Sequence, residues 1–363
     1  MQNKQVFTFK AENGMIIAED IINSYGQLVV SKGTVFSDKI RSILNANSII
    51  EIPIYETLPL SDSNNIDNNI KESTLFEKIR NSSDYIKFTK KYDDGLNEFK
   101  LELNDIVDKN TTISPDKLIS IPYSITNDFN SSYLIFDILH TLNIYDDSTY
   151  AHSLNVALIC SIFADWLHFN KADKKALIFA GMVHDIGKLC IPDKIIKKPS
   201  KLTEEEYNII KTHPVLGYNI VKNKISDPRV KAAVLMHHEK CDKSGYPSQL
   251  SGEQIPDFAK IVTIADVYDA MTSKRVYRNP LCPFEVIRMF EKEGFEKYDT
   301  RFILTFLSNV VQTYVNNSVE LNDGRIGKIV LINNNYLSKP TIRIKDDYID
   351  LSKHSDLYIV NIL

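Results

Sequence analysis

From about residue 125 to residue 315 the chain keeps a helical rhythm with few interruptions. Leu154, Leu158, Ile159, Ile162 and Trp166 recur at helical spacing, and Ala176, Leu177, Ala180 and Val183 repeat the pattern in the next segment. Thr203 followed by Glu206 forms a capping box that opens a helix through "EEEYNIIKTHPVLGYNIVKN", and a further helix runs from Phe258 to Ser273. A block of this length in one period must bury its apolar stripes helix against helix, so the fold is predicted to be mainly α, a helical bundle.

The flanks have a different texture. Residues 1–55 hold short β-like runs, "KQVFTF", "GQLVVSKG" and "SIIEIPIY", and one short helix, "SDKIRSILNAN", with Ser37 as its N-cap. Residues 56–70 are polar and Asn-rich, as in a linker. Phe76, Ile79, Ile86, Phe88, Tyr92, Leu96, Phe99, Leu103 and Ile106 then follow at mostly helical spacing. They predict one or two connecting helices whose stripe serves as packing or as a homodimer surface. Beyond residue 318, "GRIGKIVLINN", "KPTIRIKDD" and "LYIVNIL" alternate as strands do. The expected division is a small α+β module at 1–55, linker and connecting helices at 56–124, a catalytic helical domain at 125–317 and a β module at 318–363.

Composition excludes some classes of function. The 363 residues are 43% apolar and 25% charged, with a formal net charge of −4, which argues against a protein that coats nucleic acid or a membrane surface. Four cysteines, Cys160, Cys190, Cys241 and Cys282, show no CxxC spacing and fit reduced thiols. The opening "MQNKQVFTFKAENG" lacks the apolar core of a signal peptide. No apolar run reaches the ~18 residues of a membrane span. A soluble, cytoplasmic protein is expected, with neither a membrane span nor a nucleic-acid polymer as partner.

Five of the eight histidines, His152, His184, His213, His237 and His238, fall in the helical block in contexts that look deliberate, among them "HD" and "HH", whereas His140, His168 and His354 lack such company. His184 precedes Asp185 in "HDIGK", and Asp266 and Asp269 lie three apart on one helical face. Histidine and aspartate suit a divalent transition metal such as iron, manganese or zinc. Five histidines and two aspartates exceed what one ion uses and are about right for two. Such a pair, about 3.5–4 Å apart, can clamp the attacking and leaving oxygens of a phosphate ester. Neighbours on a helix diverge by about 100°. His184 can therefore serve one ion while Asp185 bridges both, and His237 and His238 can divide between ions in the same way.

The motifs "AHSLNVA" (151–157), "VHDIGKLCIP" (183–192), "KPSKLTEEE" (198–206), "KTHPVLG" (211–217), "MHHEKCDKSGYP" (236–247) and "IADVYDAMTSKRVYR" (264–278) occur in this order. Together they resemble the HD-GYP family of HD-domain metal-dependent phosphohydrolases, closely over 125–315 and weakly in the flanks. The resemblance implies a metal set of His152, His184, Asp185, His213, His237, His238 and Asp266, with Asp185 bridging. It also implies that Lys188 contacts substrate phosphate and assists proton transfer, and that Asp269, Arg275, Arg278, Tyr246 and Pro247 surround the substrate. The cofactors implied are two divalent ions, iron or manganese, with zinc, nickel and cobalt as alternatives. The substrate implied is cyclic di-GMP, opened by a hydroxide bridging the two ions to give pGpG and then GMP.

Two departures stand out. Members with a third metal carry Glu where this chain has Ser148, and the adjacent Asp147 points elsewhere on a helix, which favours two metals. The usual "DGSGYP" is here "DKSGYP", so Lys243 replaces a glycine. The competing readings are an HD phosphohydrolase for another nucleotide, such as (p)ppGpp, and a non-catalytic module that binds cyclic di-GMP.

Overall fold

The computed structural model describes residues 82–127, 132–142, 149–274 and 279–363, together with Ile79 and Phe129. Before residue 56 it describes 3–8, 15–22, 28–30, 32–37 and 51–55, with Ala11, Ile40, Arg41, Leu44 and Ile49. The chain divides into two compact units, Met1–Lys71 and Glu72–Leu363.

In the first unit, β1 (Asn3–Phe7) pairs antiparallel with β4 (Glu51–Tyr55), and β2 (Ile21–Ile22) with β3 (Leu28–Val30). Ile17, Phe36, Leu44, Ile52 and Ile54 form its core. Ser37 Oγ accepts from the amide of Ile40, which is helical, as an N-cap does.

The second unit is mainly helical. Helix α1 (Ser83–Asp108) is capped by Ser82, and α2 (Pro115–Thr126) begins on Ser114 and Pro115. The buried face of α1 carries Phe88, Tyr92, Phe99, Leu103 and Ile106, packed on α2 and on α4 (Thr149–Trp166). Of the two readings of that stripe, packing is the one this burial matches. Ile86 falls off the stripe and is 63% exposed, and Phe76 lies outside the described residues. Helix α3 (Ser132–Thr141) precedes α4, and α5 (Lys171–Val183), capped by Asn170, packs along α4. Residues 151–164 of α4 are buried throughout, so this helix is the centre of the unit.

After α5 come a 3₁₀ turn (Ile186–Cys190) and a single helical turn (Asp193–Ile196). Thr203 and Glu206 make the reciprocal capping box at the start of α6 (Glu204–Ile210). The helix predicted from there does not continue. It breaks, and α7 (His213–Val221) starts afresh. The cause is Pro214, which has no N–H to give the carbonyl four residues back and whose ring clashes with it. That carbonyl belongs to Ile210, and it accepts instead from Nδ1 of His213, at 2.7 Å.

Helices α8 (Pro228–Met236), α9 (Asp257–Thr272), α10 (Pro283–Met289) and α11 (Thr300–Thr313) complete the helical part. Strands β5 (Ser318–Leu321), β6 (Ile326–Leu331), β7 (Thr341–Ile344), β8 (Asp347–Asp350) and β9 (Ile359–Ile362) form an antiparallel sheet in the order β8-β7-β6-β5-β9. Their buried residues Val319, Leu321, Ile329, Ile342, Ile359 and Ile362 join one apolar cluster with Phe302, Phe306 and Val310 of α11. No described helix is long and apolar enough to cross a membrane.

Candidate metal centre

The candidate ligands come from helix ends and from within the two most buried helices. His184 and Asp185 follow the last turn of α5, His213 opens α7, and His237 and His238 follow α8. His152 lies in α4, and Asp266 and Asp269 lie one turn apart in α9. Gly187 lets the 3₁₀ turn lie flat on α7, because a Cβ there would stand 2.0 Å from the carbonyl oxygen of His213. The "HDIGK" turn and the "KTHPVLG" break thus bring Asp185 and His213 together.

Asp185 is the hub. Its Oδ1 lies 3.1 Å from Nε2 of His213 and 3.5 Å from Nε2 of His237. Its Oδ2 lies 3.4 Å from Nε2 of His184 and 3.6 Å from Nε2 of His152, and also pairs with Nζ of Lys188. Each carboxylate oxygen therefore faces two imidazoles. Two sets of donor atoms lie within 4.8 Å of one another: Asp185 with His213, His237 and His238, and His152 with His184 and Asp185. Asp185 belongs to both.

The adjacent histidines do not divide as expected. His237 is already the C-cap of α8, so helical geometry no longer separates the pair, and their ring centroids are 4.2 Å apart. Both fall in the set with His213, while Nδ1 of His238 lies 3.7 Å from Asp266. His168 and His354 belong to neither set.

Carbonyl acceptors fix the tautomers. His184 donates Nδ1–H to the carbonyl of Gly181 (2.8 Å), His213 to that of Ile210 (2.7 Å), and His237 to those of Ala233 and Val234 (3.1 and 3.0 Å). A carbonyl can only accept, so all three rings present bare Nε2 lone pairs inward. Nε2 of His213 and Nε2 of His237 face each other at 3.2 Å, which is repulsive unless a proton or cation lies between them. Nε2 of His184 and Oδ1 of Asp185 are buried without a hydrogen-bond partner, the neighbouring groups being too far or out of line. Buried acceptors left unsatisfied in this way are expensive. Divalent cations on the two sides of Asp185 would satisfy these acceptors, so the residues present fit metal ions.

His152 has both nitrogens against acids, Nδ1 at 2.6 Å from Asp269 and Nε2 at 2.9 Å from Asp266. The second oxygen of Asp269 accepts from Asn155 (3.0 Å) and Ser273 (3.0 Å). Asp269 therefore orients His152, as the outer carboxylate of a ligating histidine does. Burial alone would raise the carboxyl pKa values of Asp185 and Asp266. The charge of Lys188 beside Asp185, and His152 and His238 beside Asp266, overcome that and hold both well below the ordinary range. Burial lowers the pKa of His213 and His237, against the pull of Asp185. It holds His238 well below its usual value, reinforced by His237. Neutral histidines beside ionised aspartates are the protonation states that metal binding requires.

The signature loop lies over this cluster. Tyr246 stacks on His238, with ring centroids 4.6 Å apart at 25°, and its peptide bond to Pro247 is cis. Burial pushes the Tyr246 hydroxyl pKa upward. Gly245 is required by close approach, since a Cβ there would meet the amide of Lys240 at 2.4 Å. Lys243 adopts a left-handed backbone, φ 68°, which a glycine adopts freely. Glu239, 2% exposed, ties the loop down by accepting from the amides of Ser248 (2.6 Å) and Leu250 (2.9 Å). Sequence reasoning missed it, although an acid directly after two ligand-type histidines was the available signal. Asn155 was missed as well, a polar residue one turn after His152 in an apolar helix. Arg275 and Arg278 lie outside the described residues, as do Asp147 and Ser148.

Residues 140–302 match the family model described as an HD domain. A cyclic di-GMP phosphodiesterase of Thermotoga maritima is 36% identical over 176 residues, 48% of this chain and 48% of that protein. One from Pseudomonas aeruginosa is 34% identical over 204 residues, 55% of this chain and 48% of that protein. A 3′3′-cGAMP-specific phosphodiesterase of Vibrio cholerae is 39% identical over 145 residues, 40% of this chain and 34% of that protein. The chain thus spans half or less of the length of these curated relatives.

Proposed function

We propose that this chain, which belongs to the HD-GYP family of HD-domain proteins, hydrolyses a phosphodiester bond of cyclic di-GMP at the His/Asp cluster to give pGpG and, by a second hydrolysis, GMP. The observation that carries the proposal is Asp185, with one oxygen toward His213 and His237 and the other toward His152 and His184. His152, His184 and Asp266 would hold one divalent ion, His213, His237 and His238 the other, and Asp185 both. Mixed imidazole and carboxylate donors without thiolate suit iron or manganese. When bound, such ions would acidify a water and draw charge from a phosphoryl oxygen.

The protein's own groups do the rest. Lys188, 21% exposed beside Asp185, offers an ammonium to a phosphoryl oxygen and can deliver a proton to the departing 3′ oxygen. Tyr246 presents its ring and hydroxyl over His238, and Glu239 keeps it there. Pro247 continues that wall, while Arg275 and Arg278 supply charge complementary to the second phosphate. Asp269, with its oxygens occupied by His152, Asn155 and Ser273, acts through His152. All four cysteines are free thiols, which suits the cytoplasm as the site of action.

Chromatographic assay of the Mn(II)- or Fe(II)-loaded protein against cyclic di-GMP, 3′3′-cGAMP, dGTP and ppGpp tests this reading. Conversion of cyclic di-GMP to pGpG is expected to be the fastest. Preference for cGAMP would move the substrate toward that of the Vibrio relative. Tight cyclic di-GMP binding without turnover would make the chain a binding module.

A further inference from the structure

Helix α1 precedes the segment that matches the HD domain, yet one of its side chains reaches the metal cluster's support. Tyr92, 2% exposed, places its hydroxyl 2.8 Å from Oδ1 of Asn155 and 3.4 Å from the carbonyl of Ala151. Asn155, 4% exposed, in turn places Nδ2 3.0 Å from Oδ1 of Asp269, whose Oδ2 lies 2.6 Å from Nδ1 of His152. Donor and acceptor roles fix the direction of this chain. An ionised carboxylate only accepts, so Asn155 must turn its NH2 toward Asp269 and its carbonyl toward Tyr92. The Tyr92 hydroxyl must then donate. Without that donor the buried carbonyl oxygen of Asn155 loses its partner at 2.8 Å, and the amide is held from the Asp269 side alone.

We propose that Tyr92 is a positioning residue for the metal centre, supplied from outside the HD domain, which acts through Asn155 and Asp269 to fix the ring of His152. This rests on the reading of the cluster as a metal site. It gives the segment ahead of the HD domain a hydrogen-bonded hold on a ligand histidine, through side chains that are all buried. Tyr92→Phe removes only the oxygen and keeps the ring stacked against Phe88, at 6.2 Å between centroids and 17°.

The test is calorimetric titration of the chelator-stripped full chain with Mn2+, for wild type, Tyr92→Phe, Asn155→Leu and the double variant. Loss of a direct outer partner typically weakens metal binding about 10–100-fold. Tyr92 acts two hydrogen bonds further out, so a weakening of roughly three- to tenfold is expected in one of the two binding steps. Asn155→Leu should weaken the same step, and the double variant should be no weaker than Asn155→Leu alone, because both act on one chain of contacts. Asn155→Leu reads the link from its middle if Tyr92→Phe does not fold. Wild-type affinity in both single variants, or fully additive losses in the double, would overturn the proposal while leaving the metal site intact. Absence of Mn2+ binding by the wild-type protein would instead overturn the functional reading, and this inference with it.

Discussion

Replacing Lys243 with glycine should stabilise the protein. At φ 68° this residue sits in the left-handed region, which crowds the Cβ of an L-residue against the following carbonyl. That crowding costs about 1–2 kcal/mol. Glycine escapes it but has more freedom to lose on folding, about 0.4–1 kcal/mol. The difference is a gain of roughly 0.5–1 kcal/mol. No side-chain contact offsets it, for Lys243 is exposed and only its amide is engaged, donating to the carbonyl of Lys240 at 3.0 Å. For a unit of this size the gain corresponds to a rise of about 1–4 °C in melting temperature. Urea unfolding of stripped protein, comparing Lys243→Gly with Lys243→Gln, isolates the backbone effect. The glutamine variant keeps the Cβ and removes the charge, so its midpoint should match wild type. If glutamine stabilises as much as glycine, or if glycine destabilises, the backbone explanation is wrong. Hydrolysis by the same pair reads the charge separately, since both variants should raise KM if the ammonium attracts the dinucleotide.

Three further outcomes follow from the site. Gly245→Ala forces a Cβ to within 2.4 Å of the Lys240 amide, so the loop must shift and Tyr246 must leave His238. Cyclic di-GMP turnover should fall at least about tenfold while metal content, by elemental analysis, stays near wild type. Glu239→Gln replaces one acceptor oxygen of a buried carboxylate with a donor facing the amide of Ser248 or Leu250. It should destabilise by about 1–3 kcal/mol in urea unfolding and raise KM for cyclic di-GMP. The stripped protein should lose stability as pH falls. His213, His237 and His238 have lowered values in the fold, so below the unfolded value of about 6.5 the unfolded chain takes up protons the native state refuses. The slope should approach about 1.4 kcal/mol per pH unit for each histidine, and His238→Gln should reduce it. Melting curves between pH 5 and 8, identical in slope for wild type and His238→Gln, would count against this assignment.

Much of the architecture was legible because the signals were local. The period of α4 and α5, the Thr203–Glu206 box and the alternation in β6 each follow from residues a few positions apart. Pro214 was equally visible, and reading it as a break would have predicted both α7 and the backbone partner of His213. The site was legible as a set of residue types but not as a geometry. That His237 and His238 stay together depends on where α8 ends, a boundary that sequence locates poorly. Asn155 and Tyr92 act across folds of the chain, Asn155 on Asp269 114 positions away and Tyr92 on Asn155 63 positions away, and no local pattern announces which residues pair.

The most direct test of the central claim is the rate of pGpG release from cyclic di-GMP as Mn2+ is added back to stripped protein. If Asp185 joins two ions, the rate should rise to a plateau at about two equivalents per chain. Asp185→Asn should show no such rise. A plateau at one equivalent, or hydrolysis by Asp185→Asn at the wild-type rate, would contradict a two-ion centre built on Asp185.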